Sequence, residues 1–85
     1  MPRYLVSYCL ADAGKRDHEI MDRAIRALDN RAKKSLKSQW IIRSPKSLDD
    51  LFEYLRTIVD RSDRFLICRI RSNDAIWFNL IEIID

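Results

Sequence analysis

The stretch Ser38–Asp60, SQWIIRSPKSLDDLFEYLRTIVD, decides the fold. Its first part, Ser38 to Ser44, puts Trp40 and Ile42 on one side of an extended chain and Gln39, Ile41 and Arg43 on the other. That is the period-two pattern of a strand. Pro45, which has no N–H to give a ladder, stops it. Ser47 precedes Asp50 by three residues, an approximate capping box with an acid one methylene shorter than glutamate. Leu48, Leu51, Phe52, Leu55, Ile58 and Val59 then recur at helical spacing and predict an amphipathic helix ending near Asp60.

Working outward, Asp63 and Arg64 lead into a second β-rich run, Phe65 to Arg71, closed by the turn Ser72-Asn73-Asp74. Upstream, Arg3 to Leu10 alternates Tyr4, Val6, Tyr8 and Leu10 against Leu5, Ser7 and Cys9, which predicts a first strand. Asp17 suits the cap of a helix running to about Asn30, with Ile20, Met21, Ala24, Ile25 and Leu28 on one face. The basic segment Arg31 to Lys37 reads equally as loop, frayed helix or short edge strand. Ala75 to Ile84 fits either a helical stripe or a strand face; its short approach and β-branched, aromatic content favour a strand with an irregular tail.

The order is therefore strand, helix, strand pair (if the basic segment pairs), helix, strand and a terminal strand or tail. Two helices on one face of a mostly antiparallel sheet make a single α+β, ferredoxin-like sandwich over residues 1–85. That arrangement leaves one sheet face open. Phe65 and Ile67 oppose Leu66, Cys68 and Ile70, so the open face is itself apolar and predicts a partner, most simply a second copy. Size argues the same way, since a domain of 85 residues buries only about 60% of its unfolded surface and gains from borrowed area.

Composition narrows the chemistry. One histidine cannot build a multi-histidine metal site, two cysteines cannot build a four-cysteine zinc site, and one glycine leaves no glycine-rich nucleotide loop. Gly14-Lys15 lacks the Walker pattern, because Cys9 stands where its first glycine belongs and Arg16 where its Ser or Thr belongs. His18, beside Asp17 and Glu19, reads as a solvated side chain rather than a general base. Asp12, Asp17, Glu19 and Asp22 present oxygens that magnesium would accept, yet they also describe an ordinary acidic helix start. Cys9 and Cys68 lie in apolar runs and read as buried free thiols. No apolar run reaches the roughly 20 residues of a membrane span, so no membrane is expected and the cytosol is the expected compartment.

Charge carries the clearest functional signal. Residues 1–47 hold eleven Lys and Arg against five acids, +6, and residues 48–85 hold five against eight, −3, which together make the net +3. Arg31, Lys33, Lys34, Lys37, Arg43 and Lys46 have no acid among them in the chain, the pattern of a phosphate-binding surface. Tyr4, Tyr8, Trp40, Trp77 and Phe78 offer rings on which bases stack, although aromatics at strand spacing are more often core or interface.

Three stretches carry a resemblance: Arg3-Tyr4-Leu5-Val6-Ser7-Tyr8-Cys9-Leu10, Ser38-Gln39-Trp40-Ile41-Ile42-Arg43-Ser44 and Asp63-Arg64-Phe65-Leu66-Ile67-Cys68-Arg69-Ile70. In order and spacing they resemble the small bacterial SinR-family proteins. Those in turn are similar to the CRISPR-associated ferredoxin-fold subunit that partners the spacer integrase. The resemblance implies a homodimer with sheets face to face, serving as a nucleic-acid-binding scaffold. Some members are described as metal-dependent nucleases, with an aspartate as metal ligand near the end of the first strand. The matching position here is Cys9, and a thiol is a poor magnesium ligand. Asp12, three residues on, is the alternative catalytic and metal-binding residue, with magnesium as its cofactor. The expectation is thus a homodimer binding DNA or RNA through the six basic residues without catalysis or cofactor. A magnesium-dependent nuclease and a pure protein-interaction module are the alternatives.

Overall fold

A computed structural model describes residues 1–11, 15–71, 76 and 78–82, omitting the side chains of residues 15 and 16. Its elements are β1 (Arg3–Cys9), α1 (Lys15–Leu28), β2 (Lys33–Leu36), β3 (Gln39–Arg43), α2 (Leu48–Arg56) and β4 (Arg64–Ile70). The strands form one sheet in the order β2-β3-β1-β4, with every neighbouring pair antiparallel. This is the ferredoxin-like α+β arrangement, in which each helix returns the chain across the sheet.

Alternation along the strands makes the core. Tyr4, Val6 and Tyr8 of β1 and Trp40 and Ile42 of β3 are buried with Met21 and Ile25 of α1 and Leu51 and Leu55 of α2. Phe65 and Ile67 of β4 pack against the same cluster, and the Phe52 and Phe65 rings meet at 5.5 Å between centroids. Buried polar tips are matched as they must be. Tyr4 Oη donates to the Lys46 carbonyl at 2.7 Å, and Tyr54 Oη donates to the Ala24 carbonyl at 2.9 Å, joining the two helices. Asp63 ties the exit of β1 to the α2–β4 loop by accepting from the N–H groups of Ala11 and Asp60, both at 2.8 Å.

Helix ends follow local chemistry. Ser47 caps α2 by accepting the Asp50 N–H at 3.1 Å. The helix stops at Arg56 rather than near Asp60, because the Thr57 hydroxyl donates to the Tyr54 carbonyl at 2.7 Å and the chain continues as turns. Asp17 lies in the first turn of α1 rather than at its cap, where its charge complements the helix dipole. Beyond Leu28, Asp29 accepts the Arg31 N–H at 3.0 Å, and this side-chain turn ends α1 two residues before Asn30's expected limit.

The basic segment does pair, and it does so with a bulge. Lys33 stands opposite Ile41, Lys34 opposite Trp40 and Leu36 opposite Gln39, with a register shift between Lys34 and Leu36. Ser35 occupies the shift, buried, donating to the Gln39 carbonyl at 3.2 Å and accepting from Gln39 Nε2 at 3.1 Å. Ahead of the shift, ordinary strand alternation sends Lys33, opposite Ile41, to the face away from the helices and Lys34, opposite Trp40, to the helix side.

On that outer face Leu5 is aligned with Ile41 and Cys68, and Ser7 with Gln39 and Leu66. Ile41 is only 6% exposed whereas Leu66 is 56% exposed, so the face is open chiefly over β1 and β4. Cys9 and Cys68 are free and exposed, correcting the expectation that they are buried. An apolar run sets a thiol's neighbours along the chain, but strand parity sets its face, and both fall on the outer one. The tail contributes a short edge cover. The Ile81 and Glu82 N–H groups donate to the Ser35 and Lys34 carbonyls at 3.0 and 3.1 Å, after a turn at Asn79 with φ 58°. Of the predicted terminal strand, residues 75, 77, 83 and 84 lie outside the described residues, and the described ones, 76 and 78–82, form bends and irregular chain rather than the expected strand, because the positive φ at Asn79 breaks the extended backbone.

Candidate nucleic-acid interface

A cleft of about 630 Å³ opens at the β3 C-terminal end of the sheet, lined by Arg3, Arg31, Lys33 and Arg43 together with Met1, Asp29, Asn30, Ala32, Ile41 and Glu82. Each cation arrives on a different element. Arg3 on β1 and Arg43 on β3 are direct cross-strand partners, Lys33 comes from β2 beside Ile41, and Arg31 comes from the α1–β2 connection. Like charges set directly opposite in a ladder repel, so the arrangement draws in negative charge. Asp29 provides some: its Oδ1 accepts the Arg31 N–H and its Oδ2 accepts the Arg43 N–H at 2.9 Å, fixing the backbone that carries both guanidinium groups. Glu82 enters from the tail, its Oε1 accepting the Lys34 N–H at 2.8 Å.

The six basic residues expected from the sequence therefore divide. Arg31, Lys33 and Arg43 share the cleft. Lys37 is exposed in the β2–β3 turn, and Lys46 is exposed beyond β3, on the approach to α2. Lys34 turns to the helix side and pairs with Asp22 at 3.0 Å. Sequence reasoning passed over Arg3, which sits 28 positions before Arg31 and joins it only through strand pairing. It also passed over Glu82, which belongs to the acidic half of the chain but returns to β2. Tyr4, Tyr8 and Trp40 are core residues, whereas Phe78 is exposed.

Asp22 forms a second cluster, between α1 and the sheet. Its Oδ1 accepts from Tyr8 Oη at 2.7 Å and from Trp40 Nε1 at 3.1 Å, and its Oδ2 accepts from Lys34 Nζ at 3.0 Å. Arg26 and Lys34 lie over the Trp40 ring, at 5.3 and 5.7 Å from its centroid. His18 meets the Tyr8 ring at 5.7 Å. Burial pushes the Asp22 carboxyl up, but the bonds from Tyr8 and Lys34, the Lys34 charge and the Trp40 bond together hold it below its ordinary value. The Tyr8 phenol is held well above its own, first by burial and then by the Asp22 bond and charge. At neutral pH Tyr8 is thus a proton donor in a structural network rather than a base or nucleophile.

A depressed carboxyl stabilises the fold at pH values above the unfolded aspartate's pKa of about 4, and that contribution is lost as pH falls through the lowered folded value. Asp22→Ala removes the acceptor for two sparsely hydrated donors and should cost about 2–4 kcal/mol at pH 7, with Asp22→Asn costing less because it keeps an acceptor. Urea unfolding at pH 7 and pH 2.5 should show the gap between wild type and Asp22→Asn narrowing in acid. A gap that is constant with pH would contradict the network.

Magnesium finds a poor donor set at the end of β1. Cys9 is exposed there with Arg64 as its cross-strand partner, so a divalent cation would meet a soft ligand and a neighbouring guanidinium. Among the described residues, no three His, Cys, Asp or Glu side chains stand close enough together to hold a metal ion; Asp12 lies outside those residues. No described helix is long and apolar enough to cross a membrane. Comparison with protein-family models and with curated proteins finds no match to this chain.

Proposed function

We propose that this chain is a ferredoxin-like homodimer that binds nucleic acid through the cleft of Arg3, Arg31, Lys33 and Arg43, as a scaffold rather than a catalyst. The observation that carries the reading is the convergence of four cations from four elements on one concave surface. Nucleic-acid affinity is dominated by such phosphate contacts, and arginine suits them because its planar fork bonds two phosphate oxygens at once. The resemblance to the SinR-family and CRISPR-associated proteins points the same way. Dimerisation is supported by the apolar outer face, where Leu66 and the thiols of Cys9 and Cys68 are exposed over β1 and β4.

Titration of labelled single- and double-stranded DNA and RNA at low ionic strength tests the binding, with sedimentation of the same samples reporting the oligomer. Saturable binding by a dimer is expected. Absence of binding where phosphate contacts are strongest would end the nucleic-acid reading, and a monomer at tens of micromolar would end the dimer.

A further inference from the structure

We propose that the open edge of β4 adds a strand from a protein partner: an extended peptide segment with an apolar centre between carboxylates. No β4 residue lines the cleft, so this edge can be occupied whether or not nucleic acid binds there.

β4 ends the sheet, with β1 on one side and no described strand on the other. Its ladder with β1 runs from Arg64 to Ile70 without a shift, and the parity of that ladder fixes which groups are left over. Tyr8 N–H donates to the Ser38 carbonyl and the Pro2 carbonyl accepts from Ser44 N–H, so even-numbered residues of β1 turn their backbone groups to β3. Arg3, Leu5, Ser7 and Cys9 therefore turn theirs to β4, where they face Ile70, Cys68, Leu66 and Arg64. The N–H and C=O groups of Phe65, Ile67 and Arg69 point the other way, along the edge, and no backbone hydrogen bond among the described residues uses them. The β2 edge is treated differently, since the tail's Ile81 and Glu82 N–H groups take up its carbonyls. A row of unpaired ladder groups is the template onto which an extended peptide adds.

Charge selects the occupant. Arg64 stands on the outer face with Leu66 and Cys68, and Arg69, toward the other end of the strand, stands on the helix side with Phe65 and Ile67. Arg61 and Arg71 flank them, and all four are exposed with no ion-pair partner among the described residues. Asp63, the acid beside Arg64, is committed to the N–H groups of Ala11 and Asp60. A second β4 would bring another Arg64 and Arg69 onto the same ladder, whereas opposite charges across a ladder stabilise it. Arginine's planar fork suits a carboxylate. Residues 64 and 69 lie on opposite faces, so an added strand meets them with acids at the two ends of its centre, one on each face. That centre meets Phe65 and Ile67 on one side and Leu66 and Cys68 on the other. Phe52 of α2, 47% exposed, reaches the Phe65 ring and extends the apolar surface on the helix side.

The test uses an end-blocked, fluorescein-labelled peptide with a pair of aspartates at each end and β-branched residues between. Its controls are the same peptide with lysines at the ends, and the acidic peptide N-methylated through its centre. Anisotropy titrations should show the acidic peptide binding saturably and at least about tenfold more tightly than either control, the order of 1.4 kcal/mol. Arg64→Glu with Arg69→Glu should reverse the preference toward the lysine peptide. Both side chains are exposed, and an unchanged urea midpoint verifies that the variant folds. Hydrogen exchange followed by NMR locates the peptide: the Phe65, Ile67 and Arg69 amides should slow by at least about tenfold when it binds, while those of Leu66 and Cys68 are slow throughout. Protection of the first three amides in the free protein would assign the edge to a second copy, and equal binding of the N-methylated peptide would mean attraction without a strand; either result overturns the proposal. No binding of the acidic peptide would overturn it as well, and a loss of oligonucleotide binding in the double variant would then assign the two arginines to phosphate.

Discussion

Trp40→Ala is expected to bring this domain close to unfolding. Trp40 is fully buried at the centre of the sheet, donates Nε1–H to Asp22 and lies under Arg26 and Lys34. Truncating a buried tryptophan costs about 3–5 kcal/mol through lost transfer energy and the cavity left behind. The two cation–π contacts add about 0.5–1 kcal/mol each. Against this stands a total stability of about 4–13 kcal/mol for a chain this long. The loss is therefore comparable with the whole. Urea unfolding followed by circular dichroism should show the midpoint falling by more than 1 M, or no folded baseline at all. Trp40→Phe, which keeps most of the volume and gives up the N–H, should cost only about 1–2 kcal/mol. A Trp40→Ala variant within 1 kcal/mol of wild type would mean that this side chain is not the centre of the core.

Reversing two cleft charges should have the largest effect on binding. Arg31→Glu with Arg43→Glu replaces two guanidinium groups by carboxylates in a cleft that already holds Asp29 and Glu82. Charge-assisted bonds contribute about 1.5–3 kcal/mol each, so losing both weakens nucleic-acid affinity about 100-fold or more even before repulsion is counted. Lys37→Glu with Lys46→Glu is the matched control. It reverses the same number of charges at exposed positions outside the cleft, and should weaken binding less than about tenfold, a long-range effect screened by salt. Equal losses for the cleft pair and this control pair would indicate that binding follows net charge alone.

Much of the fold was legible because one-dimensional periodicity maps directly onto faces. Trp40 and Ile42 against Gln39, Ile41 and Arg43, the Ser47 cap and the stripe through Leu51 and Leu55 each needed only local rules. Half of the site was legible too, since Arg31, Lys33 and Arg43 are close in the chain as well as in space. The remainder depended on pairing between distant segments. Lys33 and Lys34 are adjacent residues with opposite destinations, and the buried Ser35 bulge carries the register shift that follows them. Arg3 enters the cleft because β1 lies between β3 and β4, and Glu82 because the tail returns to the β2 edge. Asp22 showed the converse. An acid in a helix start looked like a solvated charge or a metal ligand, and three donors from α1's neighbours make it a structural acceptor instead.

The salt dependence of single-strand binding tests the central claim most directly. Each phosphate neutralised contributes about 0.7 to the slope of log affinity against log salt for single strands. The cleft's four cations predict a wild-type slope near −2 to −3, and Arg31→Ala with Arg43→Ala should flatten it by about 1.4. An unchanged slope in that double variant would place the phosphate contacts elsewhere on the molecule and contradict the account.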